Sequence, residues 1–573
     1  MSGAIGTTSS GGVFIGGTSS GINTTALIDA AVAQKTRRAD LLQVEIDENT
    51  ATIGAYDELL VLTSAIELSL DRLRGPESIF DDTERVFDLK AGTVLTSDGS
   101  DFASILDIAI DSDAVAGTYQ IEVLESAQAQ RVGGNNIVDK DAALGYAGTF
   151  DLGLLGGGSE NISITAGQSL QDIADAVNAV SETSGVEASI LKVSETEFQL
   201  VLSGTETAQD LTTFSTGGDD VLALVGVSDG FGGFQNTLQP ASGALIEFDG
   251  VEIRRDDNNF DDLIDGIELN VKNAAPGTII SLEVDNDLVS VKEAIEEFIT
   301  AYNAFRDFAV QNQQVDANGN VAENAVLFSD GLLNGLTDQY SGIIGQAFND
   351  GGVIETIRDL GIEIGNNNRL EITDSAKLDT ALLSNFDAVK AAFAAGAETD
   401  NDDFRLTRNT STAGSQAIVF DLTTDGAGTI TGVTANGDAS AFTISGGSIV
   451  GAEGSEFQGL RFTYIGTEAN VTVNVDFNQG LAEKIINGTS GYTDAVTGLI
   501  IQEKASLQSQ NQEKSQDASD IISRAEDFRQ DQIDRYAKLE ADTTRLKTLQ
   551  APMAFVKRRI CLVLTSRQNC MRE

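Results

Sequence analysis

The 573-residue chain contains no histidine and no tryptophan, only two cysteines, three methionines and four prolines. Without imidazole there is no Ser/His or Cys/His nucleophile pair, no side chain whose ordinary pKa lies near neutrality to serve as a base, and no histidine-ligated metal centre. Both cysteines, Cys561 and Cys570, fall close to the end, so the body of the chain has neither a disulfide framework nor a thiolate metal site. Positive charge is scarce as well. The 36 Lys and Arg residues stand against 88 Asp and Glu, and the formal net charge of -52 repels phosphate backbones and anionic lipid surfaces. No nucleic acid is expected as a partner. Long apolar runs are missing too: the longest, Val221 to Val227, is far short of the roughly 18 residues a spanning helix needs, and no membrane insertion is expected.

What is present divides by period. From Leu42 the spacing alternates four and three through Leu42, Ile46, Asn49, Ile53, Tyr56, Leu60 and Thr63, then drifts through Ile66, Leu70 and Leu73 to a Gly75-Pro76 stop. The same spacing returns near the other end as Leu507, Asn511, Lys514, Ala518, Ile521, Ala525 and Phe528, and again as Tyr536, Leu539, Thr543, Leu546 and Gln550. Two long helices are predicted, about 50 Å and up to about 85 Å in length, which pair as a coiled-coil stalk over residues 41–76 and 488–550. Polar seam residues cost stability while fixing register and oligomer state. Leu42, Ile46, Ile53, Tyr56, Leu60, Leu507, Ile521, Phe528, Tyr536, Leu539 and Leu546 are the candidate residues for stalk packing and for assembly with other copies. Packing within a single chain is the competing explanation of the same pattern.

Between the helices the rhythm changes to strands. "AGTYQIEVLESAQAQRV" (116–132) alternates Tyr119, Ile121 and Val123 on one face, "ENISITAGQSLQDIADAVNAV" passes from a strand into a helix, and "VEASILKVSETEFQLVLSG" reads as a hairpin. "GALIEFDGVEIRRDDNNFDDLIDGIELNVK" gives three short strands around Asp249-Gly250 and an acidic helical turn. Helical spacing resumes in Val291, Ile295, Phe298, Ile299, Tyr302, Phe305 and Phe308, followed by a helix over 324–342, a hairpin turning at Asn366 to Asn368 and a helix capped near Thr373 to Ser375. The fold class is α+β and multidomain: long terminal helices with strand-rich head domains inserted between them. The expected divisions are an N-terminal segment at 1–40, disordered or ordered on assembly; an inner head domain at 84–132 and 243–286; an outer head domain at 133–242; a helical domain with a hairpin at 287–403; a β-rich insertion at 404–482; and an atypical tail at 551–573.

Candidate chemistry does not assemble. "DANGNVAENA" from Asp316 alternates oxygen ligands, but the sixth position, where a calcium loop needs glycine, is Val321. "GLLGGGS" (153–159) lacks the Lys-Ser/Thr ending of a phosphate loop, and the pairs Asp256-Asp257 and Asp261-Asp262 read as a solvated loop. No enzymatic activity, cofactor or metal is expected.

Taken in order, these segments resemble the hook-associated, filament-capping proteins of the FliD family. "SSGINTTALIDAAV" (19–32) is similar to the family's N-terminal motif, "GTYQIEVLESAQAQRV" (117–132) to its strand motif, and "ITAGQSLQDIADAVNA" (164–179) to the repeat shared among hook and hook-associated proteins. "IEFDGVEIRRDDNNFDDLIDGIELNV" (246–271), "AYNAFRDF" (301–308) and "LGIEIGNNNRLEITDSAKLDTAL" (360–382) resemble its C-terminal region in order and spacing. The resemblance implies a secreted protein of the bacterial flagellum that forms a homo-oligomeric ring at the filament tip and promotes flagellin folding and insertion. It also implies flagellin, hook-filament junction proteins, the flagellar export apparatus and an export chaperone as partners, with residues 1–40 as the export segment. The alternative is a surface adhesin whose head domains bind a host or environmental ligand. The tail departs from the family's amphipathic ending: residues 551–573 carry Lys557, Arg558, Arg559, Arg567, Arg572 and both cysteines, the pattern expected of a reading-frame change near residue 551, with genuine divergence the alternative.

Overall fold

The computed structural model describes residues 5–9, 11, 13–15, 21–76, 83–316, 318–348 and 353–568, leaving out the side chains of 5, 6, 13–15 and 551–568. Much of the expected export segment's first half, and residues 569–573 with Cys570, lie outside the described residues. The chain divides into two units, one of residues 82–294 and one that joins 1–81 to 295–573.

The unit of residues 82–294 holds two apolar cores. Around the first, a five-stranded antiparallel sheet runs in the order Val251–Arg255, Ala244–Phe248, Gly117–Glu125, Ile279–Asn286, Lys90–Thr96. A three-stranded sheet of Asn259–Ile264, Ile267–Val271 and Leu106–Ile110 shares its core. Tyr119, Ile121 and Val123 point inward as their alternation predicts. The Asp249-Gly250 turn has positive φ at both residues (49° and 82°), the geometry that closes a two-residue hairpin without splaying its strands. One expectation is corrected. The acidic helical turn is instead the strand Asn259–Ile264, because Phe260 is fully buried and backbone pairing with Ile267–Val271 sets a period of two.

The second core lies under strands Thr237–Gln239, Arg131–Ile137, Phe198–Gly204 and Val186–Lys192 and under Leu211–Gly218, Gly148–Leu154 and Ser159–Ile164. Helix Leu170–Asn178 packs onto it through Leu170, Ile173, Ala174 and Val177, and its first turn is closed by a reciprocal cap between Ser169 and Asp172. The apolar run from Val221 is the short helix Val221–Leu224 followed by buried Val225 and Val227.

In the other unit the N-terminal helix is Thr24–Asp71, about 72 Å long at 1.5 Å per residue. It starts well inside the segment expected to be an export arm, because Asn23 caps it by accepting from the Ala26 N–H and its apolar spacing already begins at Ile28. At the C-terminal side the expected single helix from residue 488 is two helices, Leu481–Thr493 and Leu499–Gln568. The Asp494 carboxylate accepts from the Val496 and Thr497 N–H groups, and this local cap competes with helix continuation. The last helix continues through the basic tail as far as Gln568.

Helix Leu288–Gln311 supplies Phe298, Tyr302 and Phe305; Tyr302 and Phe305 meet Tyr340 of helix Gly331–Ile344 edge-on at ring-centroid distances of 6.3 and 4.9 Å. The hairpin Ile362–Ile364/Leu370–Ile372 is tied to the same helix by paired hydrogen bonds between Asn303 and Leu370. Asp374 caps helix Ser375–Ser384. The β-rich insertion spans the strands from Gly396 to Asn478 and is a sandwich of two four-stranded antiparallel sheets. Its core is dominated by phenylalanines, with Phe404, Phe420 and Phe462 at centroid distances of 5.0 to 5.2 Å.

Candidate functional site

The four-three stripe places one face of Thr24–Asp71 against one face of Leu499–Gln568, and the pairing is antiparallel. Side chains far apart in sequence meet in descending order: Asp57 pairs with Lys504, Asn49 with Asn511, Glu45 with Lys514 and Asp29 with Arg529. The seam's polar residues are used as its register marks. Asn49 Nδ2 donates to Asn511 Oδ1 at 2.9 Å, and Asn511 Nδ2 reaches Thr50 Oγ1 at 3.3 Å. A shift of one turn leaves these half-buried amides unpaired, which a leucine seam would not penalise.

Ion pairs at the edges (Glu45–Lys514 3.0 Å, Asp29–Arg529 2.8 Å) involve partly exposed groups and contribute little each, on the order of 0–1 kcal/mol. The apolar contacts are sparse. Ile28, Val32 and Ala525 form a small buried cluster with Phe528, Ile533 and Tyr536 against it, and the Lys35 ammonium lies 4.4 Å from the Phe528 ring centroid.

Of the candidate seam residues, Leu42, Ile46, Ile53, Leu60, Ile521, Phe528 and Tyr536 are half-buried, and Leu507 is buried. Tyr56 is buried but differently engaged. Its hydroxyl donates to Asp330 Oδ2 at 2.7 Å, the carboxylate that also caps helix Gly331–Ile344, and burial with this acceptor pushes the phenol's pKa up. Leu539 and Leu546 are not brought to the seam at all. They are 47% and 60% exposed, because the partner helix begins at Thr24, which the register places near Tyr536, and the last helix runs on without it. Near that end the backbone N–H of Ser9 and the Thr7 carbonyl meet Asp534 and Gln530.

The sequence stripe missed Ile28, Val32 and Ala39, and it missed Leu59. Counting the stripe backward from Leu42 finds the first three at four-three steps through Lys35. It also missed Glu483, which lies buried where the N-terminal helix ends. Its two carboxylate oxygens accept from the N–H groups of Gly75 and Ala395 at 2.7 and 2.9 Å. Burial pushes its pKa up to about 7, against the opposing pull of the Arg74 charge and these donors. Only glycine fits at position 75, since a Cβ there would lie 2.4 Å from the Ala395 carbonyl oxygen. Among the described residues no cluster of acidic or cysteine side chains is arranged to hold a metal, and no helix is long and apolar enough to cross a membrane.

Family models match this architecture at both ends and in the middle. The model for the flagellar hook-associated protein 2 N-terminus covers residues 20–130, that for its C-terminus covers 241–548, and the flagellin hook IN motif covers 152–206. The chain belongs to the flagellar hook-associated protein 2 family. Flagellar hook-associated protein 2 of Aeromonas caviae is 26% identical over 401 residues, 66% of this chain and 80% of that protein. The B-type flagellar hook-associated protein 2 of Pseudomonas aeruginosa is 29% identical over 311 residues, 50% of this chain and 64% of that protein. A crystal structure of the Escherichia coli flagellar cap protein FliD, domains D1-D2-D3, aligns over 60% of this chain and 90% of its own, at 22% identity and a TM-score of 0.44. The family matches include both terminal helices and the strand-rich unit, and they lend no support to the adhesin alternative.

Proposed function

We propose that this chain caps the bacterial flagellar filament, acting as a structural protein and not as a catalyst. Copies assemble as a homo-oligomeric ring at the filament tip, where they retain flagellin and help each subunit fold and enter the lattice. Membership of the hook-associated protein 2 family, through both its terminal regions, is the observation that carries this reading. The half-buried helix pair is the working part: a seam held by few apolar contacts and an amide pair can loosen and re-form as each flagellin is inserted, whereas a tightly packed seam would hold one state. Candidate residues Ile46, Ile53, Leu60, Ile521 and Phe528 contribute to this seam, and the exposed Leu539 and Leu546 are available to neighbouring subunits of the assembly. Flagellin and the hook-filament junction proteins are its partners outside the cell, and the flagellar export apparatus with an export chaperone delivers it there.

Addition of purified protein to cells lacking their own filament cap tests the proposal. Restored filament elongation is expected. Failure to restore it, by protein whose thermal transitions are intact, would rule the reading out.

A further inference from the structure

The sandwich at Gly396–Asn478 has a charge distribution that its own stability does not require. Its only basic residues are Arg405, Arg408 and Arg461, and all three lie on the outer face of one sheet. Arg408 and Arg461 are directly opposed across adjacent strands. Among the described residues none of the three is in an ion pair, and the rest of that face is Thr, Ser and Val. The outer face of the other sheet is the reverse: it exposes Glu398, Asp421 and Asp476 and no base, and Glu398 stands directly opposite Asp476. The residues between, Phe404, Phe420, Phe462, Val473 and Val475, turn inward into one core, so the two charged faces point away from each other.

Like charges opposed across a strand pair destabilise a sheet. Two such pairs of opposite sign on opposite faces make a module that repels itself within each face and complements a second copy of itself between faces. We infer that the sandwich is a head-to-tail contact between neighbouring copies of this chain, the arginine face of one seated on the carboxylate face of the next. Guanidinium forks match carboxylates bidentately, and desolvation in the contact strengthens such pairs. A contact between unlike faces generates a closed ring when its rotation closes, and it offsets locally the repulsion between chains that each carry a net charge of -52. This inference rests on the ring assembly proposed above and names the surface that forms it.

Charge reversal with cross-rescue tests it. One variant carries Arg405→Glu, Arg408→Glu and Arg461→Glu; a second carries Glu398→Lys, Asp421→Lys and Asp476→Lys. Reversal keeps each face's internal repulsion, so the sandwich's thermal transition serves as the folding control. Self-association is read by light scattering across concentration. Each variant alone should need at least tenfold more protein to assemble than the parent, and an equimolar mixture should recover assembly, because one variant then presents two acidic faces and the other two basic ones. Parental assembly that both variants match overturns the inference and leaves the ring standing. Weakened variants that the mixture does not rescue also overturn it. If the parent stays monomeric at every concentration, the ring reading itself fails and this contact fails with it. Loss of binding to a sulfated polysaccharide in the arginine variant, with assembly unchanged, would assign the arginine face to a glycan instead.

Discussion

The two halves of the N-terminal helix share one spacing and sit in different surroundings. From Tyr56 to Leu70 the inward residues Tyr56, Leu59, Ile66 and Leu70 are all exposed by 2% or less. From Leu42 to Ile53 the seam residues Leu42, Ile46, Asn49 and Ile53 are only half-buried. The first group is enclosed on several sides: helix Leu481–Thr493 reaches Glu67 through the Thr493 hydroxyl at 2.7 Å, and Asp330 at the start of Gly331–Ile344 holds Tyr56. The second group has a single partner helix. Periodicity thus decides which face turns inward, while the number of neighbouring elements decides how much that face stabilises.

The largest expected break in this comparison is functional. Ile53→Asp or Phe528→Asp places a charge in the thin seam and should abolish filament growth, with the thermal transitions of the 82–294 unit and of the Gly396–Asn478 sandwich nearly unchanged. Glu48→Lys, at an exposed position off the seam, should be mild. Leu59→Ala in the enclosed half should instead lower the stability of its own unit by about 2–5 kcal/mol, and Leu42→Ala by about 1 kcal/mol or less, in calorimetry of the full chain.

Glu483 gives the enclosed half a pH signature. Its carboxyl titrates at about 7 in the folded chain and at the ordinary carboxylate value when unfolded, so the folded state binds the proton more tightly between those values. The group's contribution is fully present below about pH 4.5 and is lost as pH rises through about 7, an effect on the order of 3 kcal/mol. The stability difference between the parent and Glu483→Gln should therefore shrink with rising pH across that window, and a difference independent of pH would contradict the burial argument. A smaller effect, about 1 kcal/mol, is expected for Asn49→Ala, which leaves the Asn511 amide with Thr50 alone. Its readout is helix unfolding by circular dichroism, and Asn49→Ala paired with Asn511→Ala should cost less than the sum of the two.

Much of this was legible beforehand, and the exceptions have physical causes. The stripe from Leu42 to Leu73 and the inward alternation of Tyr119, Ile121 and Val123 are periodic signals of packed faces, and the Asp249-Gly250 turn is a local chemical one. The continuation of the seam from Leu42 back to Ile28 was hidden by Lys35, which is charged, and Ala39, which is small. The strand Asn259–Ile264 was hidden by acids that solvent tolerates on an exposed face, and the break at Asp494 by a cap that uses residues a helix also accepts. Glu483 could not be found at all from spacing, since its donors come from Gly75 and Ala395, brought together only by the fold. Leu539 and Leu546 carried the right period, but the length of the partner helix denied them a partner within the chain.

Amide hydrogen exchange along the N-terminal helix, in the isolated chain and in the assembled cap, tests the central claim that the thinly buried seam is the part that orders on assembly. In the isolated chain residues 42–53 should exchange far faster than residues 56–71, and assembly should slow the first group while leaving the second unchanged. Equal and strong protection of both groups in the isolated chain, with no change on assembly, would contradict it.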